Sequence, residues 1–308
     1  MKVLITGGAG LLAGYLIETA PHASDLIATW HQQSIECDGC AREHCDITDR
    51  AALGGLVARA RPDWIVHMAG IGNVDRCQTD PPGTWRANVG GTESIIDACQ
   101  AAGCRLLYTS TNAVYRGDGA PYAEDSPRQP VNEYGRQKTH CEELVRQSGL
   151  AWAMVRPILM YGWSRPWSRR DLVAWMLDAL GKGQRLNLVN DINENPLSAE
   201  ECAKAIWRII ETGQAGEFNI AGGDVVDRYH LGLAVASVFG KDPSLITPVG
   251  SGFFASLAPR PHNTSFDTRK METVLGLPPL PLRAGLERMR DTGPRLMARL
   301  IKGRLCTP

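Results

Sequence analysis

The segment Thr6 to Ala13, TGGAGLLA, constrains the fold more than any other stretch of the chain. It follows an apolar run, KVLIT (Lys2 to Thr6), and opens a helical pattern that runs from Leu11 to Thr19. In this G-x-x-G-x-x-A form, Gly7 permits a tight turn and Gly10 lets the backbone approach a pyrophosphate. Ala13 is small enough for close packing of helix on strand. A helix that starts here presents free backbone N–H groups, those of Leu11 and Leu12, and the positive end of its dipole. Glycines alone mark turns. Placed between a strand and a helix, they lead us to expect dinucleotide binding.

The rest of the first half repeats the alternation. DLIATW (Asp25 to Trp30) reads as a second strand. After a polar loop, Asp49 to Arg61 reads as a helix and DWIVHMAG (Asp63 to Gly70) as a third strand. Thr84 to Ala102 reads as a long helix, Cys104 to Thr111 as a strand, Asn132 to Gln147 as a helix and Ala151 to Pro157 as a strand. Strands joined by helices run parallel, which predicts an α/β fold with a Rossmann-type doubly wound sheet. The second half is less regular. It offers a helix at Asp171 to Leu180, another at Ser198 to Glu211 and a strand, GEFNIAG, that rejoins the sheet. It ends in one or two basic amphipathic helices over Arg283 to Arg304, read as a solvated face. A dinucleotide-binding domain of residues 1–157 and 192–221 is therefore expected. A smaller C-terminal substrate domain of residues 158–191 and 222–308 completes the chain.

Lys plus Arg and Asp plus Glu both number 33, so nothing points to nucleic acid. No apolar run is long enough to span a bilayer, and MKVLITGGAG is too short and glycine-broken for a signal peptide. Nine cysteines lie scattered without a framework. They read as free thiols in a reducing compartment, with a cytoplasmic location. Cys37, Cys40, His44 and Cys45 have partial zinc spacing, but no second half follows, so a plain thiol loop without metal is expected.

The segment NEYGRQK places Tyr134 and Lys138 four residues apart, on one helical face. With Cys141, Leu144, Val145 and Ser148 they form one arc; Arg136, His140, Glu142, Glu143 and Arg146 form the other. Lys138 is the only charge on the mostly apolar arc, which is costly without a partner. Tyrosine has a free pKa of about 10. A nearby ammonium, with the positive nicotinamide of an oxidised cofactor, lowers it towards use as an acid–base group. The lysine also suits the nicotinamide ribose. The plain alternative is a core tyrosine with a snorkelling lysine. YTSTNAVY (Tyr108 to Tyr115) adds hydroxyls at Ser110 and Thr111 at a strand end, where ligands of such sheets bind. One of them suits a substrate carbonyl; the alternative is an ST-turn.

The end of the second strand, ATWHQQS (Ala28 to Ser34), has no carboxylate to hold the ribose hydroxyls of NAD. His31, Gln32, Gln33 and Ser34 are donors that suit a 2′-phosphate, which favours NADP over NAD. Asp46, followed by Ile47, suits the adenine edge or else caps the next helix. His67, beside Ala69–Gly70, is expected to pack rather than catalyse. Trp163 and Trp167 flank a loop that either covers substrate or lies at a lid or domain interface.

These motifs together resemble an extended short-chain dehydrogenase/reductase, most closely the dTDP-4-dehydrorhamnose reductase and sugar-nucleotide-binding family. The carrying stretches are VDRCQTDP (Val74 to Pro81), RANVGGT with Asn88, YTSTNAVY, PVNEYGRQK, NENP (Asn193 to Pro196) and RPHNTSFDTRK (Arg260 to Lys270). The resemblance implies NAD(P)H-dependent reduction of a keto group on a nucleotide-linked sugar, with Thr111, Tyr134 and Lys138 as catalytic triad. It implies cofactor contacts at Ile47, Ala69, Gly70 and Asn88, substrate contacts at Ser110 and Asn112, and a homodimer. Asn112 stands where that family usually carries Asp, and Pro157–Ile158–Leu159 where it carries Thr-Ser-Trp. The pair Asn112–Ala113 lacks the acid–base capacity of a dehydratase. An NAD-retaining epimerase and a non-catalytic NADP-binding regulatory subunit are the alternatives.

Overall fold

The apolar runs become strands because helices cover both faces of the sheet they form. Val3, Leu4 and Ile5 on the first strand are all fully buried, although they point alternately to opposite faces. The computed structural model describes every residue except 23, 38, 169, 255–257 and 306–308; over 294–305 it describes the backbone alone. In chain order the first half contains β1 (Lys2–Thr6), α1 (Leu11–Glu18), β2 (Asp25–Trp30), β3 (Ala41–His44), α2 (Arg50–Ala60) and β4 (Trp64–His67). It continues with α3 (Val74–Thr79), α4 (Pro81–Trp85), α5 (Gly91–Ala102), β5 (Arg105–Thr109), α6 (Glu133–Gln147) and β6 (Trp152–Pro157). The second half opens with β7 (Met160–Tyr161), α7 (Leu172–Gly181), β8 (Leu186–Val189), β9 (Asn193–Glu194), β10 (Leu197–Ser198) and α8 (Ala199–Thr212). It closes with β11 (Gly216–Ile220), β12 (Val226–Asp227), α9 (Arg228–Phe239), β13 (Ile246–Val249), α10 (Arg269–Leu275) and α11 (Leu282–Leu305).

Seven parallel strands lie in the order β3-β2-β1-β4-β5-β6-β11. This is the expected doubly wound sheet, and β11 rejoins it beside β6 as its sequence suggested. The strand order reverses between β1 and β4, whose last paired residues are Thr6 and His67. Ligands of such sheets bind in the crevice at that reversal. α1 and α8 cover one face, and α2, α5 and α6 the other. A separate core lies under α7, α9 and α11, where β8 pairs in parallel with β13.

Several expectations need correction. The polar loop after β2 contains the edge strand β3, whose sequence AREH is mostly exposed and shows no apolar alternation. The long helix starts at Pro81 rather than Thr84 and passes through a π-helical turn at Arg86–Gly90, which a 3.6-residue pattern does not reveal. β8, β13 and α9 also escaped notice; α9 carries apolar residues all round over Leu231–Phe239 and so has no stripe. Not all thiols are free, because Cys37 and Cys40 form a disulfide. Two of the four residues with partial zinc spacing are thereby bonded to each other. The basic C-terminal segment is one helix, of which the side chains beyond Gly293 lie outside the described residues.

Glu142 does not sit on a solvated face of α6. It is fully buried, and Arg156 on β6, also fully buried, bonds both its oxygens at 2.7 and 2.8 Å. Arg156 also pairs with Glu217 and donates to the Tyr115 hydroxyl at 2.9 Å. The two buried charges are tolerable because each is paired and hydrogen-bonded.

Candidate active site

The phosphate turn has the geometry its sequence requires. Gly7 adopts φ +76°, and a Cβ there would lie 2.8 Å from the Ala69 nitrogen. Any other residue would be strained and would push the β4 loop away. Gly10 is the N-cap of α1 and supplies no capping side chain, so the first helical N–H groups remain available to an anion. Ala13 is buried against the core.

His67 braces the facing loop. Thr6 Oγ1 accepts from the backbone of Met68 and Ala69 at 3.1 and 3.2 Å and donates to His67 Nδ1 at 2.8 Å. His67 Nε2 lies 3.2 Å from the Thr92 hydroxyl, which donates to the Asn88 carbonyl at 2.6 Å. Burial holds the ring neutral, with its pKa pushed down to about 3. Asn88 serves the same loop. Its amide accepts from Ile71 N–H at 2.6 Å and donates to Gln137 at 2.8 Å, so its side chain shapes the Gly70–Ile71 turn while lining the cavity.

Two cavities lie side by side in the crevice and share Gly7, Ala69, Gly70 and Ile71. The first, of about 440 Å³, is lined by Trp30, His31, Gln32, Gln33, Asp46 and Ile47. Ser34, expected with them, does not line it. Asp46 accepts from the Thr48 backbone and hydroxyl, both at 2.9 Å, and stands 3.5 Å from His31 Nε2. The cap of α2 is Asp49, not Asp46. Arg76 and Arg86 also line this cavity. The sequence at the end of β2 offered no arginine; α3 and the π-helical turn bring two from elsewhere.

The second cavity, of about 390 Å³, brings Thr111, Tyr134 and Lys138 together beside Gly10, Leu11 and Leu12. The Thr111 hydroxyl caps a short turn, accepting from Ala113 N–H at 3.2 Å, and donates to Asn112 Oδ1 at 3.2 Å. Lys138 donates to the Thr109 carbonyl at 2.7 Å. Tyr134 and Lys138 are partly buried and line the cavity. Desolvation pushes Tyr134 up to about 12 and Lys138 down to about 8. Burial thus raises the tyrosine, and the lowering expected from its lysine does not occur in the protein alone. Ser110 also lines the cavity, but its hydroxyl donates to Glu142 at 2.6 Å, so its proton is committed away from substrate. Asn112 sits between Thr111 and Glu194. Trp163 does not cover the site: its indole donates to the Met289 carbonyl on α11 at 2.6 Å.

A family model described as the RmlD substrate binding domain matches residues 1–293. The chain belongs to this family. A dTDP-4-dehydrorhamnose reductase of Mycobacterium tuberculosis is 28% identical over 91% of this chain and 88% of its own length. Mouse methionine adenosyltransferase 2 subunit beta is 25% identical over 93% of this chain and 86% of its own. The solved structure of dTDP-4-dehydrorhamnose reductase from Bacillus anthracis, in complex with NADP, covers 94% of this chain with a TM-score of 0.84 at 23% identity. That structure is itself covered to 98%, so the second-half elements belong to the shared fold.

Proposed function

We propose that this protein is an NADPH-dependent reductase of a keto group on a nucleotide-linked sugar. The observation that carries the reading is the convergence of Thr111, Tyr134 and Lys138 in one cavity beside the phosphate turn. The residues present fit a nicotinamide dinucleotide: the α1 N-terminus for its pyrophosphate, Asp46 and Ile47 for its adenine, Lys138 for the nicotinamide ribose. His31, Arg76 and Arg86 suit a 2′-phosphate, which favours NADPH over NADH. When bound, the reduced cofactor supplies hydride to a carbonyl carbon. Thr111 holds the carbonyl oxygen in place by turning to it the proton that its hydroxyl otherwise donates to Asn112 Oδ1. Tyr134, kept protonated by burial, gives its proton to that oxygen as negative charge builds there. The Lys138 ammonium stabilises the tyrosinate that remains.

A neighbouring cleft of about 720 Å³ supports a nucleotide-linked substrate. Trp175 and Phe254 flank it, both about half exposed, and suit stacking on a base; Arg228 and Arg260 suit a diphosphate. No described helix is long and apolar enough to cross a membrane. A cytoplasmic homodimer is part of the reading.

Titration with NADPH and NADH, followed by an assay with dTDP-4-dehydrorhamnose, tests it. NADPH should bind at least tenfold more tightly and be consumed. The likeness to methionine adenosyltransferase 2 subunit beta favours a second reading, a regulatory subunit that binds NADPH without turnover and co-purifies with one enzyme. An epimerase would instead retain NAD through purification.

A further inference from the structure

The catalytic cavity holds a carboxylate that the proton transfer above does not use. Glu194, on β9, lines it beside Thr111 and Asn112, and its side chain is only 13% exposed. Its position is fixed from several sides. β9 pairs with β12 through Glu194 and Val226, and its neighbour Asn193 bridges to Asn263. Glu194 Oε1 accepts from Asn112 Nδ2 at 3.0 Å, and the same nitrogen donates to Thr264 at 2.7 Å. The other end of that amide, Asn112 Oδ1, accepts from the Thr111 hydroxyl at 3.2 Å. One rigid amide therefore sets the spacing between Glu194 and the residue that holds the carbonyl.

A carboxylate has about four acceptor sites. Asn112 occupies one of them. Oε2 faces the Arg228 guanidinium at 3.8 Å, outside hydrogen-bond length but near enough to balance its charge. Acceptor capacity is left over in a cavity built to hold substrate, and a balanced carboxylate calls for a neutral donor more than for a cation. The path from Thr111 to Glu194 spans two hydrogen bonds and one amide. A carbonyl oxygen and a hydroxyl on the adjacent carbon bridge the same gap with one hydrogen bond to each residue, once the Thr111 proton turns from Asn112 Oδ1 to the carbonyl.

We infer that Glu194 is a specificity-determining residue that accepts a hydrogen bond from the sugar hydroxyl adjacent to the reacting carbonyl, an inference that rests on the proposed function. Loss of that hydroxyl leaves a mostly buried carboxylate partly unpaired, which is how such pockets discriminate most strongly. A purely structural glutamate, tied only to Asn112, makes no such discrimination.

The test compares dTDP-4-dehydrorhamnose with its 3-deoxy analogue, using NADPH, for the wild type, Glu194→Ala and Glu194→Gln. The wild type should favour the hydroxylated sugar by roughly 10- to 100-fold in kcat/KM. In Glu194→Ala the ratio should collapse to within about threefold, and Glu194→Gln, a neutral acceptor, should fall between. NADPH affinity should stay the same in both variants. If Glu194→Ala does not bind NADPH, Glu194→Gln alone decides. An undiminished ratio in the variants, or no preference in the wild type, overturns the inference alone. A wild type that binds NADPH and reduces neither sugar overturns the proposed function and this inference with it.

Discussion

The ammonium of Lys138 donates to the carbonyl oxygen of Thr109 at 2.7 Å. It also lies 4.3 Å above the Tyr108 ring. These are the partners that make an inward lysine tolerable, yet burial still lowers its pKa to about 8. The charged form is the useful one. As pH rises through about 8, kcat/KM for reduction should fall, because Lys138 of the free enzyme loses its proton. Lys138→Met should lower kcat by roughly 10²- to 10⁴-fold and remove that alkaline limb. A pH–rate profile of both proteins checks this.

Tyr134 is pushed up to about 12, so it stays protonated at every ordinary assay pH. That suits a proton donor. Tyr134→Phe should reduce turnover by roughly 10²- to 10⁴-fold while leaving NADPH affinity within about threefold. Steady-state rates together with NADPH titration separate the two effects.

Gly7→Ala should weaken NADPH binding by more than about tenfold and lower the melting temperature. The left-handed backbone at φ +76° strains any side chain, by about 1–3 kcal/mol. The added methyl would also meet Ala69. Fluorescence titration and thermal denaturation report the two losses.

His67 sets an acid limit. Its folded pKa of about 3 lies below the free value of about 6.5, so the unfolded chain takes up the proton first as pH falls. Its contribution to stability is full above pH 6.5 and is lost between about 6.5 and 3, at most about 4–5 kcal/mol. His67→Asn should flatten this slope. Denaturant midpoints of both proteins from pH 7 to pH 4 measure it.

Glu142→Ala should destabilise the fold by about 3–5 kcal/mol, because it strips the fully buried Arg156 of its bidentate partner. The same change frees the Ser110 hydroxyl. Chemical denaturation gives the loss directly.

The phosphate turn, the strand–helix alternation and the Thr111, Tyr134 and Lys138 set were legible in the sequence. The turn, the alternation and the Tyr134–Lys138 spacing depend on residues close in the chain, where turn geometry and helical spacing are fixed by local backbone rules, whereas Thr111, on another element, was joined to that pair by the family resemblance. The edge strand β3, the π-helical turn and α9 were not, since none of them shows the apolar periodicity that marks an element. Glu142 shows the limit most clearly. Its spacing on α6 put it among the solvated charges, yet Arg156, fourteen residues on, makes its burial tolerable.

The sequence by itself determined that this chain forms a doubly wound parallel sheet with a phosphate turn at its first crossover, and that a tyrosine and a lysine share a helical face. Only the tertiary structure decided what meets that face. Arg76 and Arg86 reach the cavity of His31 and Asp46, and Glu194 reaches that of Thr111, Tyr134 and Lys138, from elements distant in the chain. Long-range side-chain meetings of this kind have no local signature, because they depend on how whole layers pack rather than on the spacing of neighbours.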